Sequence, residues 1–146
     1  MDEARKQLKE TLATVFAFYL KAANFHWNVE GPDFFEYHKL FEMIYNDVYG
    51  SIDPLAEQLR AAGTYAPGSF KRFQELSQIE DALEPLSAKE MVQRLYDDNA
   101  IVIDSLNKSF SAAQSQNMQG LMNFLADRID QHNKWAWFLR ASKKGE

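Results

Sequence analysis

The stretch NFHWNVEGPDFFEYHKLFE, residues 24–42, carries two of the chain's three histidines, His26 and His38, on either side of Gly31-Pro32. Upstream of it, Leu8, Leu12, Val15, Phe16, Tyr19 and Ala23 recur at three- and four-residue spacing. That period predicts an amphipathic helix from about residue 3 to residue 28. Downstream, Asp33 followed by Glu36 has the capping-box pattern and opens a second helix, FFEYHKLFEMIYNDVYGSIDPLAEQLRAA, which stops at Gly63. Pro54 lies inside it, removing one backbone hydrogen bond and crowding the carbonyl of Gly50. A kink near residues 50–54 is expected, but the phase of Ile44, Val48, Ile52, Leu55 and Leu59 carries the helix through.

Residues 64–86 are punctuated by Pro67, Gly68 and Pro85 and read as a long crossover with room for one short helix near Phe70 to Leu76. Ser87 with Glu90 is a second capping box, opening a third helix to about Ser111. The polar segment Gln114-Ser115-Gln116-Asn117 separates it from a fourth, NMQGLMNFLADRIDQHNKWAWFLRA, ending near Ala141. Two helical hairpins joined by one long connection describe an all-α, ferritin-like four-helix bundle, with a short helix in the crossover between the second and third helices. At 146 residues the chain buries about two thirds of its unfolded surface, which suits a single domain over residues 1–146.

A net charge of −5 makes the surface as a whole repel polyanions, so nucleic acid would need a local basic patch, and cations are the more natural small partners. The absence of cysteine excludes disulfides, thiolate metal sites and cysteine nucleophiles. The opening MDEARKQLKETLATVFAFYLKAA resembles neither a signal peptide nor a membrane span, so the expected location is cytoplasmic, with no membrane partner.

On the second helix His38 and Glu42 form one i,i+4 pair, and Asp53 and Glu57 another. At 100° per residue all four fall within an arc of about 100°, so one side of the helix carries them. Imidazole with carboxylate suits iron and other first-row divalent metals. His26 and His38 stand equally far from the turn, so antiparallel packing brings them to one height. Residues 38 and 53, however, are separated by roughly 22 Å of helix, far beyond the ~2 Å bonds that would unite them on one metal. One chain cannot close such a site, but two can. If the second helix packs antiparallel against its own copy, the cross pairs His38 with Glu57 and Glu42 with Asp53 share a single centre between Asp47 and Val48, and the twofold makes the site twice. The competing view is a structural histidine beside solvated acids, and for either pair taken alone it is the commoner outcome. The Glu-x-x-His motif of intrachain di-iron bundles is missing, since Ile129 precedes His132 by three residues. His132 therefore reads as a packing or surface histidine.

HWNVEGPDFFEYHKLFE, then DPLAEQLRAAG, then QHNKWAWFLRA resemble the signature of the Dps family of ferritin-like proteins over essentially the whole chain. The resemblance implies a hollow homododecamer with ferroxidase centres at its dimer interfaces, built from His26, His38 and Glu42 of one subunit and Asp53 and Glu57 of its neighbour. It implies that ferrous iron is oxidised there by hydrogen peroxide, or by dioxygen, and stored as ferric mineral, protecting against oxidative damage. In the same terms Asp53 and Glu57 supply most of the charge neutralisation, Glu42 assists His38, and Trp27 is an auxiliary electron donor, against the alternative of an interface aromatic. Asp130 corresponds to an acid lining an iron-entry pore, or else to a solvated helix acid. Trp135, Trp137 and Phe138 read as packing or subunit contacts.

Many relatives bind DNA through a lysine-rich terminal extension. Here the first helix begins almost at Met1, and Arg140, Lys143 and Lys144 form only a small patch, so DNA binding is expected to be weak or absent. The alternative function is a DNA-binding nucleoid or structural shell with its metal site idle or filled by zinc, a possible competitor for iron. Five metal-competent side chains argue against idleness.

Overall fold

The computed structural model of the chain describes residues 2–144. Its helices are α1 (Asp2–Asn28), α2 (Phe34–Ala61), α3 (Phe70–Leu76), α4 (Ala88–Ser115) and α5 (Gln119–Lys143), with no strand among the described residues. α1 packs along α2 and along α4, α4 packs along α5, and α3 rests on α1. These are the two expected hairpins, laid against each other through α1 and α4 with α3 in the crossover: an all-α, ferritin-like bundle.

The helix ends show which local signals operate. Ser87 and Glu90 form the reciprocal capping box, each side chain bonded to the other's backbone N–H at 3.2 and 3.0 Å. Asp33 occupies the corresponding place before α2, but with φ −106° and ψ 32° its carboxylate makes no capping bond, which corrects the expectation from sequence. The chain enters α2 through a backbone turn instead, with Phe34 N–H donating to the Gly31 carbonyl at 3.1 Å, and Gly31 supplies the positive φ of 119° that the reversal needs.

α2 stops where predicted. Gly63 (φ 85°) donates to Arg60 O at 3.0 Å and Thr64 to Leu59 O at 3.2 Å, the paired closure that satisfies orphan carbonyls. α4 ends the same way, with Asn117 (φ 56°) donating to Gln114 O and Met118 to Ala113 O. It therefore runs a turn past the Ser111 predicted from polarity. Polar side chains do not break a helix; the left-handed residue does.

Pro54 is exposed, and α2 passes through it as one helix because the buried face Phe41, Ile44, Val48, Ser51, Leu55 and Leu59 keeps its phase. Full burial of each large apolar side chain there contributes about 1.5–3 kcal/mol. Polar ties cross the core. Lys21 of α1 donates to Asp98 Oδ2 of α4 and to the Glu80 carbonyl of the crossover, both at 2.7 Å. The Thr11 hydroxyl meets those of Ser105 and Ser109 at 2.8 and 2.7 Å. Arg128 of α5 grips Asp47 of α2 through two 2.9 Å bonds, joined by Trp135 Nε1 at 2.7 Å. Among the described residues no buried side-chain nitrogen or oxygen lacks a partner. No helix of the described chain is long and apolar enough to cross a membrane.

Candidate metal centre

His26 lies in the last turn of α1 and His38 in the second turn of α2. Their imidazoles stack with centroids 3.8 Å apart and planes 16° from parallel. Each ring also reaches across to the other's backbone: His26 Nδ1 donates to the His38 carbonyl at 2.8 Å, and His38 Nδ1 to the His26 carbonyl at 2.7 Å. A ring nitrogen facing a carbonyl must carry its proton, so Nδ1 is the donor in both rings. Both Nε2 atoms are left with a free lone pair, the arrangement a metal-binding histidine requires. The His26 carbonyl belongs to the last turn of α1, where no intrahelical N–H reaches it, so His38 also closes that helix end.

Glu42 stands one turn beyond His38. One ligand atom from each of His26, His38 and Glu42 lies within 4.8 Å of the others. That spacing is close to the ~4 Å separating opposite ligands of a first-row ion bonded at ~2.0–2.2 Å. His26 is buried and the other two are half-buried, so the cluster opens to one side. Lys39 pairs with Glu42 at 3.6 Å, a partly exposed contact of little energetic weight.

Asp53 and Glu57 are not part of this cluster. Both are exposed on α2, Asp53 being about 22 Å farther along the axis from His38. The chain thus gathers three of the five expected ligands and presents the other two outward on the same helix. Trp27 is 63 % exposed beside His26. Asp130 is exposed on α5, Trp135 is buried in the Asp47 network, and Trp137 is largely exposed. The α1–α2 hairpin also leaves Leu20, Met43 and Tyr49 exposed.

His132 is fully buried, which selects the packing reading over the surface one. Its Nδ1 bonds Asn99 Oδ1 at 2.8 Å and Arg128 reaches its Nε2 at 3.2 Å. Burial, aided by the Arg128 charge, pushes its pKa down to about 3, so it is neutral and has no free nitrogen for a metal. Burial raises the Asp47 pKa, but the hydrogen bonds from Arg128 and Trp135 outweigh it and hold the carboxyl below its usual range. At Asp98 burial wins over the Lys21 hydrogen bond and charge, and its pKa is raised. The sequence reading missed these ties; Lys21 within the apolar run FAFYLKAANF was the visible signal.

A family model described as a ferritin-like domain matches residues 5–143. The chain is 31 % identical over 134 residues to DNA protection during starvation protein 2 of Bacillus anthracis, covering 92 % of each. Among solved structures it is similar to Dps from Staphylococcus aureus, with 27 % identity, 100 % of this chain and 98 % of that one covered, and a TM-score of 0.94. It is also similar to a Vibrio cholerae Dps protein described as a member of a broad superfamily of ferritin-like diiron-carboxylate proteins, with 28 % identity, coverage of 98 % and 90 %, and a TM-score of 0.93. With its helical order, its crossover helix and these relatives, the chain belongs to the Dps family of ferritin-like proteins.

Proposed function

We propose that the chain is the subunit of an iron-storing shell that oxidises ferrous iron at centres shared between two copies. The observation that carries this reading is the reciprocal clasp of His26 and His38, which holds two Nε2 lone pairs and the Glu42 carboxylate together before any ion arrives. Asp53 and Glu57 of the partner subunit complete the centre, with the twofold between Asp47 and Val48. A ferrous pair brings four positive charges, and the three carboxylates offset most of them while the imidazoles remain neutral donors. Each ferrous ion gives one electron to hydrogen peroxide, the O–O bond breaks, and two protons from solvent complete two waters. Neither electron leaves as a free radical. Dioxygen is the slower alternative oxidant in this reading. Ferric product passes into the cavity of a dodecamer, Asp130 lines the entry route, and residues 1–146 act as one domain in the cytoplasm. The diiron-carboxylate description of the Vibrio cholerae relative supports the choice of iron.

The test adds ferrous iron and then peroxide to apo-protein. Rapid growth of ferric absorbance is expected, with loss in Asp53→Ala/Glu57→Ala; equal rates in the two proteins would refute the assignment. The mass of the native particle tests the dodecamer.

A further inference from the structure

Lys39 and Arg60 are the only lysine and arginine of α2, and they are held differently. The Arg60 guanidinium lies 4.6 Å over the Tyr65 ring and donates to the Thr64 carbonyl at 3.1 Å, which engages it away from Glu57, one turn back. Among the described residues neither Asp53 nor Glu57 has an ion pair. Lys39 is 60 % exposed, with its ammonium 3.6 Å from Glu42. Glu57 stands eighteen positions after Lys39. That interval is about five whole helical turns, so the two side chains leave α2 in the same direction, roughly 27 Å apart along its axis. Within one chain they cannot meet. Antiparallel pairing centred between Asp47 and Val48 sets Lys39 of one copy opposite Ala56 of the partner subunit, within one ~1.5 Å rise of the partner subunit's Glu57. The twofold keeps equal directions on one flank, so ammonium and carboxylate face each other, and it makes the contact twice.

We infer that Lys39 is the resident counter-ion of the shared centre: with no iron bound it bridges Glu42 of its own chain and Glu57 of the partner subunit, and an arriving ferrous ion displaces it. The inference rests on the shared-centre reading above and names the residue that governs its empty state. As two copies close, each centre gathers three carboxylates, Glu42 with the partner subunit's Asp53 and Glu57. Like charges brought together while water leaves oppose association. Lys39 offsets one of the three, and the two charges that remain are what a single ferrous ion cancels. In the lone chain the Lys39–Glu42 contact is screened by solvent; the second copy dries it and adds a second carboxylate to it. An ammonium on a flexible four-carbon stem suits a contact that has to be given up, because it carries no rigid fork to grip both carboxylates and swings out to water intact. Lys39 is therefore a competitor for the carboxylates that iron must take, and the empty interface closes at the expense of ferrous affinity.

The test treats apo-particles with a carbodiimide, which joins an amine to a carboxylate in contact with it, and maps the joined peptides by mass spectrometry. A link from Lys39 to Glu57 is expected, in a product of two chains' mass; the ~27 Å between them on one helix excludes an intrachain source. Ferrous iron added under argon beforehand is expected to suppress the link, and Glu57→Gln to abolish it. In ferrous titrations under argon Lys39→Gln is expected to bind about fivefold more tightly than wild type, the upper end for a partly exposed pair, and Lys39→Arg no more tightly. Particles that bind ferrous iron but give no Lys39–Glu57 link, or equal affinity in Lys39→Gln and wild type, would overturn the counter-ion while leaving the shared centre in place. Ferrous affinity unchanged in Asp53→Ala/Glu57→Ala would remove both readings.

Discussion

A site shared across a twofold makes a quantitative demand on mixed particles. Take one subunit variant depleted on the imidazole side, His38→Asn/Glu42→Ala, and another depleted on the acid side, Asp53→Ala/Glu57→Ala. The amide nitrogen of asparagine at position 38 falls where His38 Nδ1 stood and retains an N–H for the His26 carbonyl, so the end of α1 stays closed. Each variant alone is expected to be inactive, because every centre in it lacks two of its five ligands. When the two are co-expressed in equal amounts, half of the dimers are mixed. In a mixed dimer one centre joins the two depleted halves and the other joins the two intact halves. Random assembly therefore restores about a quarter of the wild-type centres, a figure fixed by twofold symmetry alone. The assay is the initial rate of ferric absorbance per subunit, on particles purified sequentially through a different tag on each variant. An intrachain centre predicts no recovery, since neither chain carries a full ligand set. The distance behind the argument is the ~22 Å of helix between His38 and Asp53. Mixed particles as inactive as the parents would refute the shared site.

Three further outcomes follow from the packing. Lys21→Met leaves the Asp98 carboxylate buried without its cation and is expected to cost about 3–5 kcal/mol; Lys21→Met/Asp98→Leu should recover most of that loss, as read from urea midpoints. His132 has a folded pKa near 3 against 6.5 unperturbed, so the unfolded chain binds the extra proton between those values. Stability is full above pH 6.5 and declines as pH falls toward 3, by up to roughly 4–5 kcal/mol, and His132→Gln should flatten this part of the acid limb in denaturation series. Gly63→Ala forces a side chain onto φ 85° and sets its Cβ 3.1 Å from Arg5 Nη2, an arm that also bonds the Ala62 carbonyl at 2.8 Å; thermal unfolding should show a loss of about 1–2 kcal/mol.

The architecture was legible because the signals that set it are local. Apolar spacing marked the helices, Gly63 and Ser87 marked ends that form as read, and Phe70 to Leu76 lay within the stretch between Gly68 and Pro85 that has no breaker. Asp33 misled because a capping box depends on backbone dihedrals as well as residue type, and there the turn from Gly31 sets them. Equal spacing of His26 and His38 about the turn was enough to bring the imidazoles together. It could not show that each ring would bond the other's carbonyl, since that depends on the inter-helix distance and on rotamers. Asn99, Asp47 and Arg128 were invisible as a group for the same reason: they come from three helices, and no periodicity on one helix points at the others.

Because His38 seals the terminus of α1 as well as offering a lone pair, it has a reason to persist that is independent of chemistry at the centre. A descendant that abandoned iron would still leave the His26 carbonyl and the end of α1 open by replacing it with a residue that has no donor there. Asp53 and Glu57, exposed and without such architectural duty, are free to drift. Among relatives of this chain, erosion at those two acids is therefore the more sensitive register of a silenced centre, and an intact histidine pair by itself testifies only to a well-closed helix.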